Sequence, residues 1–178
     1  MNRAVFFDLN GTLVTPIMVQ NPNELAVVPD AIGALARLSS AGFACPVVTI
    51  QSGIAKGRFS QAAFDEWFAG FAAMLADQGA VIVGPYVCPH RFAAPCPCKK
   101  PNTYLYEQAA RDHQIDLARS IVVGDSARDV EAASRFGGLG CLVRTGWATD
   151  EKVVEEARPH CAHIAPSLTE AVDWILGR

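Results

Sequence analysis

Little in this sequence is basic, and nothing in it is long and apolar. Fifteen lysines and arginines stand against 18 aspartates and glutamates in 178 residues, a net charge of −3 at pH 7. No run of basic residues and no interleaving of basic with aromatic residues occurs. The electrostatic footprint of a nucleic-acid binder is therefore missing. No stretch approaches the roughly 18 apolar residues of a membrane span. The N-terminus passes directly into a strand-like run, so no leader is expected, and a cytoplasmic location follows as the default. Internal repeats, low-complexity segments and linker-like stretches are also missing, which leaves one domain over residues 1–178, with a sizeable core. No spare apolar element is obvious, so a monomer is expected.

What is present is an alternation of short apolar runs with helical patterns. Strands are expected at Arg3–Phe7, Ala44–Thr49, Ala80–Cys88, Ser120–Gly124, Leu139–Val143 and His163–Ala165. Helices are expected after Pro29-Asp30, over Ser60–Gln78, Asn102–His113, Ala127–Phe136, Asp150–Ala157 and Leu168–Leu176. Phe64, Phe68, Phe71 and Leu75 recur at the i, i+4, i+7, i+11 spacing of one helix face. Such alternation predicts an α/β fold with a mostly parallel sheet covered on both faces, a three-layer, doubly wound arrangement. Ligands of such sheets bind at the carboxyl ends of the strands. The polar residues that end the apolar runs are Asp8, Thr49 and Asp125, with the Cys88 region ending the third. The irregular stretches 14–29 and 89–101 leave the same end and should overhang the site.

Asp8 sits in VFFDLNGTL, before a tight Gly11-Thr12 turn. Asp125 and Asp129 lie in GDSARD, and Lys100 follows the third strand. Carboxylates beside a lysine and a hydroxyl suit a phosphate ester and Mg²⁺, a hard cation that takes oxygen ligands. Asp129 also suits a solvated position in the first turn of a helix.

Three of the six cysteines crowd into CPHRFAAPCPC, residues 88–98. Cys88, His90, Cys96 and Cys98 make a four-ligand set of the kind that closes around a structural zinc. Pro89, Pro95 and Pro97 keep the stretch from forming a regular element that would bury the thiols. A zinc-bound loop here would fix the position of Lys100, two residues beyond Cys98. Cys45, Cys141 and Cys161 read as core thiols.

The pieces FFDLNGTLV, VVTIQSG, KKP and VVGDSARD, in this order and at strand ends, resemble the haloacid dehalogenase-like (HAD) phosphatase superfamily over residues 4–130. The resemblance implies that Asp8 is the nucleophile that takes the phosphoryl group. It implies that Thr49 and Lys100 hold the phosphate, that Asp125 ligates Mg²⁺, and that Asp129 ligates or supports it. Position 10 gives a backbone carbonyl to Mg²⁺ and is normally an aspartate acid/base; here it is Asn10. The Cys/His loop followed by Lys-Pro is similar to the subgroup holding D-glycero-D-manno-heptose 1,7-bisphosphate phosphatase and histidinol-phosphate phosphatase. That implies no large cap domain and a substrate held by loops. TIQSGIAKGRF is similar to the heptose pattern TNQSGIARGxF, which places Gln51, Ser52, Lys56 and Arg58 at the site mouth. Lys99 takes a place usually held by arginine, where it would meet a second phosphate or a sugar hydroxyl.

Two departures bear on the substrate. Ile50 stands where asparagine is usual, and residues 14–29 lack the polar pattern expected of a heptose enzyme. The expected activity is a Mg²⁺-dependent phosphomonoesterase acting on a small phosphorylated metabolite, a heptose bisphosphate-like sugar phosphate or histidinol phosphate. An amide at position 10 cannot move a proton, so turnover should be impaired. A non-hydrolysing phosphate-ligand binder, or an exchange engineered to trap substrate, are the alternatives.

Overall fold

The computed structural model describes residues 2–178. In chain order the elements are β1 (Val5–Phe7), β2 (Val14–Thr15), β3 (Ala26–Val27), α1 (Ala31–Ser40), β4 (Pro46–Ile50), α2 (Ser52–Ala55), α3 (Gln61–Ala76) and β5 (Val83–Cys88). There follow α4 (Tyr104–His113), β6 (Ile121–Gly124), α5 (Ala127–Arg135), β7 (Leu139–Val143), α6 (Glu151–Ala157), β8 (Cys161–Ala165) and α7 (Leu168–Leu176).

Six strands form a parallel sheet in the order β5-β4-β1-β6-β7-β8. The chain builds outward from β1 through β4 to β5, then returns to β1's other side for β6. The direction of winding thus reverses between β1 and β6, and the carboxyl ends of those two strands flank the crevice where such sheets bind ligands. This is the three-layer Rossmann-like arrangement of the HAD fold that the sequence predicts. Among the described residues no inserted cap domain is present. The segment after β1 carries the antiparallel pair β2–β3, in register Val14↔Val27, with one 3-10 turn at Pro22–Glu24 between them.

Both faces of the sheet are buried, which is why its strands read as continuous apolar runs. Val5, Phe7, Val47 and Val123 pack on one face with Leu35 and Leu38 of α1, Phe64, Phe68, Phe71 and Leu75 of α3, and Val172 of α7. Phe6, Val48 and Val122 pack on the other face with Leu105, Tyr106 and Ala109 of α4 and Ala132 and Ala133 of α5. The Phe6 ring meets Tyr106 edge-on at 5.2 Å. Removing such a ring from either layer costs roughly 3–5 kcal/mol.

Some boundaries differ from the sequence expectation for local reasons. The third major strand begins at Val83 rather than Ala80, because Val83 pairs with Pro46 at the start of β4, while the N–H groups of Ala80 and Val81 go to Leu75 O and Ser39 Oγ. The helix expected from Asn102 begins at Tyr104, because Asn102 is held in a turn. Its N–H donates to Lys99 O, and its side-chain amide donates to Cys96 O. The last strand starts at Cys161, where it pairs with Gly140. The turn of helix at Ser52–Ala55 has no apolar periodicity and was not expected. No helix among the described residues is long and apolar enough to cross a membrane.

Candidate active site

The strand tips on either side of the crevice deliver the carboxylates. Asp8 follows β1, Asp125 follows β6, and Asp129 points inward from the first turn of α5. Carboxylate oxygens of the three lie within 4.8 Å of one another. All three residues are buried, with Asp8 at 9% exposure and the other two at 1%. Lys100 is buried with them and spends all three of its protons. Its Nζ is 2.6 Å from Asp8 Oδ1, 2.6 Å from Asp129 Oδ1 and 3.0 Å from Val48 O.

Asp129 is saturated from its other side. Its Oδ2 accepts from Ser126 N at 3.1 Å and Ser126 Oγ at 2.6 Å, closing a capping box on α5. Asp129 is thus in the first turn of α5 but buried rather than solvated, with one oxygen on the helix N-terminus and the other on Lys100. Asp125 Oδ2 accepts from Trp147 N at 2.8 Å.

Backbone without side chains makes room for Asp125. Gly11 has a φ of +92° and Gly146 a φ of +48°. A Cβ on either would strike Asp125 Oδ2. The Gly-Thr turn after Asp8 thus serves both the left-handed backbone and the close approach of a carboxylate.

Three carboxylates share one lysine. Burial pushes Asp8 up to about 6, opposed by Lys100 and reinforced by Asp129. Burial, with repulsion from Asp8 and Asp129, pushes Asp125 up to about 8. Burial alone would lower Lys100, but Asp129 and Asp8 outweigh it and hold the ammonium well above the usual lysine range. The cluster with all carboxylates ionised carries two negative charges in excess of its lysine. An all-oxygen donor set with that deficit suits a divalent cation such as Mg²⁺.

Thr49, near the end of β4, is buried, and its Oγ1 accepts from Gln51 Nε2 at 2.9 Å. The same Nε2 donates to Asn10 Oδ1 at 2.7 Å. Asn10 Nδ2 faces Pro16 O at 3.5 Å. These groups line one pocket with Asp8, Ser52, Arg58, Lys100, Asp125 and Asp129. Ile17, Met18 and Val19, from the segment after β2, overhang it.

Two of the expected substrate contacts are placed elsewhere. Lys56 is exposed and does not line the pocket. Lys99 turns into the loop behind it, where its Nζ donates to the carbonyls of Arg91, Phe92 and Ala94 at 2.8, 2.7 and 2.5 Å. Held by these three carbonyls and absent from the pocket lining, Lys99 clamps the loop rather than facing a ligand. Sequence reasoning missed Phe92, Arg128 and Trp147, which also line the pocket. Trp147 lies four residues beyond the end of β7, where no motif marks it. Arg128 lies within GDSARD itself.

The Cys/His set comes together as its spacing predicts. Cys88 Sγ is 3.7 Å from His90 Nδ1 and 3.6 Å from Cys96 Sγ, while Cys98 Sγ is 3.2 Å from His90 Nδ1 and 3.8 Å from Cys96 Sγ. A tetrahedral zinc with the usual Zn–S and Zn–N bond lengths would have ligand–ligand edges of about 3.6–3.8 Å. Burial pushes the Cys88 thiol up to about 12, so a thiolate there calls for a cation. Cys45, Cys141 and Cys161 are free thiols away from this set. His163 stacks on Trp174 at 4.9 Å.

The HAD-hydrolase-like family model matches residues 97–171. A D-glycero-D-manno-heptose-1,7-bisphosphate 7-phosphatase of Thermosynechococcus vestitus is 33% identical over 187 residues, covering 97% of this chain and 94% of the relative. A D-glycero-beta-D-manno-heptose-1,7-bisphosphate 7-phosphatase of Escherichia coli K12 is 35% identical over 183 residues, with 97% and 87% covered. The crystal structure of the D,D-heptose 1,7-bisphosphate phosphatase of Bordetella bronchiseptica, complexed with magnesium and phosphate, superposes with a TM-score of 0.88 at 30% identity, over 98% of each chain.

Proposed function

The chain belongs to the HAD-like hydrolases acting on phosphate monoesters, and from that premise we propose that it is a Mg²⁺-dependent phosphomonoesterase working through an aspartyl-phosphate on Asp8. The substrate class is a small phosphorylated metabolite, a heptose bisphosphate-like sugar phosphate or histidinol phosphate. The observation that carries this reading is the placing of Asp8 and Asp125 at neighbouring strand tips, with Lys100 bridging Asp8 to Asp129.

Asp8, Asp125 and the main-chain carbonyl of Asn10 would hold Mg²⁺. Asp129, with both oxygens engaged, supports the site through Lys100. When bound, the ion supplies Lewis-acid neutralisation of phosphate charge. Asp8 Oδ2 has no side-chain partner among the described residues and is the oxygen free to attack phosphorus. The P–O bond to the leaving group breaks as the Asp8–P bond forms. Lys100, already at Asp8, stabilises the charge that develops on the phosphoryl oxygens. Thr49 offers its hydroxyl to the same group. Water then displaces phosphate from Asp8 and restores the carboxylate.

Both halves need a proton carrier beside Asp8. The leaving oxygen must gain a proton, and the attacking water must lose one. Asn10 can do neither, which supports slow turnover with retained binding. It also favours a second reading, a phosphate-ligand binder that does not hydrolyse. Comparing this chain, its Asn10→Asp variant and an Asp8→Asn control on p-nitrophenyl phosphate with Mg²⁺ separates the two. Hydrolysis that depends on Asp8 supports the enzyme; no activity in any form favours the binder. A panel of sugar phosphates and histidinol phosphate then identifies the substrate.

Cys88, His90, Cys96 and Cys98 are proposed to hold a structural zinc that fixes the loop leading to Lys100. The fold is read as one domain and the protein as a monomer. Its unpaired cysteines suit the reducing cytoplasm.

A further inference from the structure

Asp129 and Arg128 are neighbours in the first turn of α5, and their side chains part company. Asp129 goes inward to Lys100. Arg128 goes outward to the pocket mouth, where its guanidinium carbon sits 5.1 Å from the centre of the Phe92 ring. Among the described residues Arg128 has no carboxylate partner. A cation in the first turn of a helix stands at the wrong end of the helix dipole, so local stability does not account for it.

Phe92 is itself held from behind. It is 50% exposed, an unfavourable state for a phenylalanine. Its backbone carbonyl is one of the three that Lys99 clamps, in the loop between His90 and Cys96. Lys99 thus fixes the loop, the loop presents the ring, and the ring carries the guanidinium by a cation–π contact. The cation available to a ligand at this edge of the pocket is Arg128, not Lys99.

We infer that Arg128, seated on Phe92, selects substrates bearing a second anionic group remote from the phosphate that Asp8 attacks, and that Lys99 positions it without touching substrate. The inference rests on the phosphatase reading above. A guanidinium pairs with a phosphate or carboxylate through two parallel N–H bonds, so it discriminates strongly between a doubly and a singly anionic ligand.

The test is titration calorimetry in Mg²⁺ with inorganic phosphate, fructose 6-phosphate and fructose 1,6-bisphosphate. The wild-type chain is expected to bind the bisphosphate about tenfold more tightly than the monophosphate. Arg128→Ala should reduce that preference to about twofold or less while leaving inorganic phosphate affinity unchanged. Phe92→Ala should fall between them. The inference is overturned if the wild type shows no preference, or if the preference survives Arg128→Ala. It is also overturned if that variant weakens inorganic phosphate equally, or if only Lys99→Met abolishes the preference. Failure of the wild type to bind inorganic phosphate at all would instead overturn the phosphatase reading beneath it.

Discussion

Gln51 Nε2 lies 2.7 Å from Asn10 Oδ1 and so fixes which way the amide points. The other end of that amide, Nδ2, faces Pro16 O at 3.5 Å. An aspartate at position 10 could keep the Gln51 bond through one oxygen. Its other oxygen would then meet a carbonyl, a contact that favours a protonated carboxyl. The surroundings of Asn10 therefore suit an acid able to give up a proton, although the residue present cannot.

Asn10→Asp should raise turnover of p-nitrophenyl phosphate by about 10²–10⁴-fold, the usual worth of general acid–base help. Affinity for inorganic phosphate in Mg²⁺ should change little, because the expected Mg²⁺ contact uses the main chain. Steady-state kinetics and calorimetry check both halves. A gain of less than about threefold would show that another group already moves the proton, or that the site does not hydrolyse.

Lys100→Met should strip the counter-charge from two buried carboxylates. Breaking a buried pair by removing one partner typically costs about 3–5 kcal/mol. Urea unfolding without metal should show a loss of that order, and phosphatase activity should vanish. Added Mg²⁺ should restore part of the stability, because it binds only the folded cluster. A loss well below 1 kcal/mol would mean that the carboxylates simply take up protons when the lysine is gone.

Chelation, or Cys96→Ser, should release one zinc per chain and weaken substrate binding through Lys100. The accompanying fall in melting temperature should be about 4–8 °C, equivalent to ~2 kcal/mol in a protein of this size. Metal analysis and a thermal scan measure it. Unchanged affinity and activity after metal removal would separate the loop from the phosphate site.

Gly11→Ala should be more damaging than an alanine usually is. The backbone there has a φ of +92°, and the new Cβ would collide with the Asp125 carboxylate. A stability loss of about 1–3 kcal/mol is expected, with weakened Mg²⁺ dependence of activity. Gly42→Ala, at a φ of +78° with open space around it, is the control for backbone strain alone.

Much of this fold was legible because burial on both sides of a parallel sheet leaves a continuous apolar record. The expected spans of β7 and α7 match the observed ones residue for residue. The pocket was legible where its lining comes from a strand tip, as at Asp8, Thr49 and Asp125. The family resemblance placed Lys100 there as well, but it also set Lys99 beside a ligand, where the structure does not put it. These two lysines are adjacent and chemically identical, yet one enters the carboxylate cluster and the other turns back into its own loop. That choice is made by the turn before α4 and by three carbonyls of the Cys/His loop, none of which carries a pattern in one dimension. Arg128 escaped for a similar reason. Its partner, Phe92, sits 36 residues earlier in a loop with no periodicity.

The bonds that assemble the cluster reach far along the chain. Asp8 and Lys100 are separated by 92 positions, Lys100 and Asp129 by 29, and Asn10 and Gln51 by 41. During synthesis Asp8, the proposed nucleophile, therefore emerges before its partners and waits. Lys100 follows after β5, and the other two carboxylates, Asp125 and Asp129, only with β6 and the first turn of α5. A nascent or half-folded chain carries a lone carboxylate at the tip of a three-residue strand and no means of relieving its repulsion from phosphate. The carboxylate–lysine cluster is thus complete only once β6 has paired with β1 and α5 has begun, which makes the pocket a late product of folding.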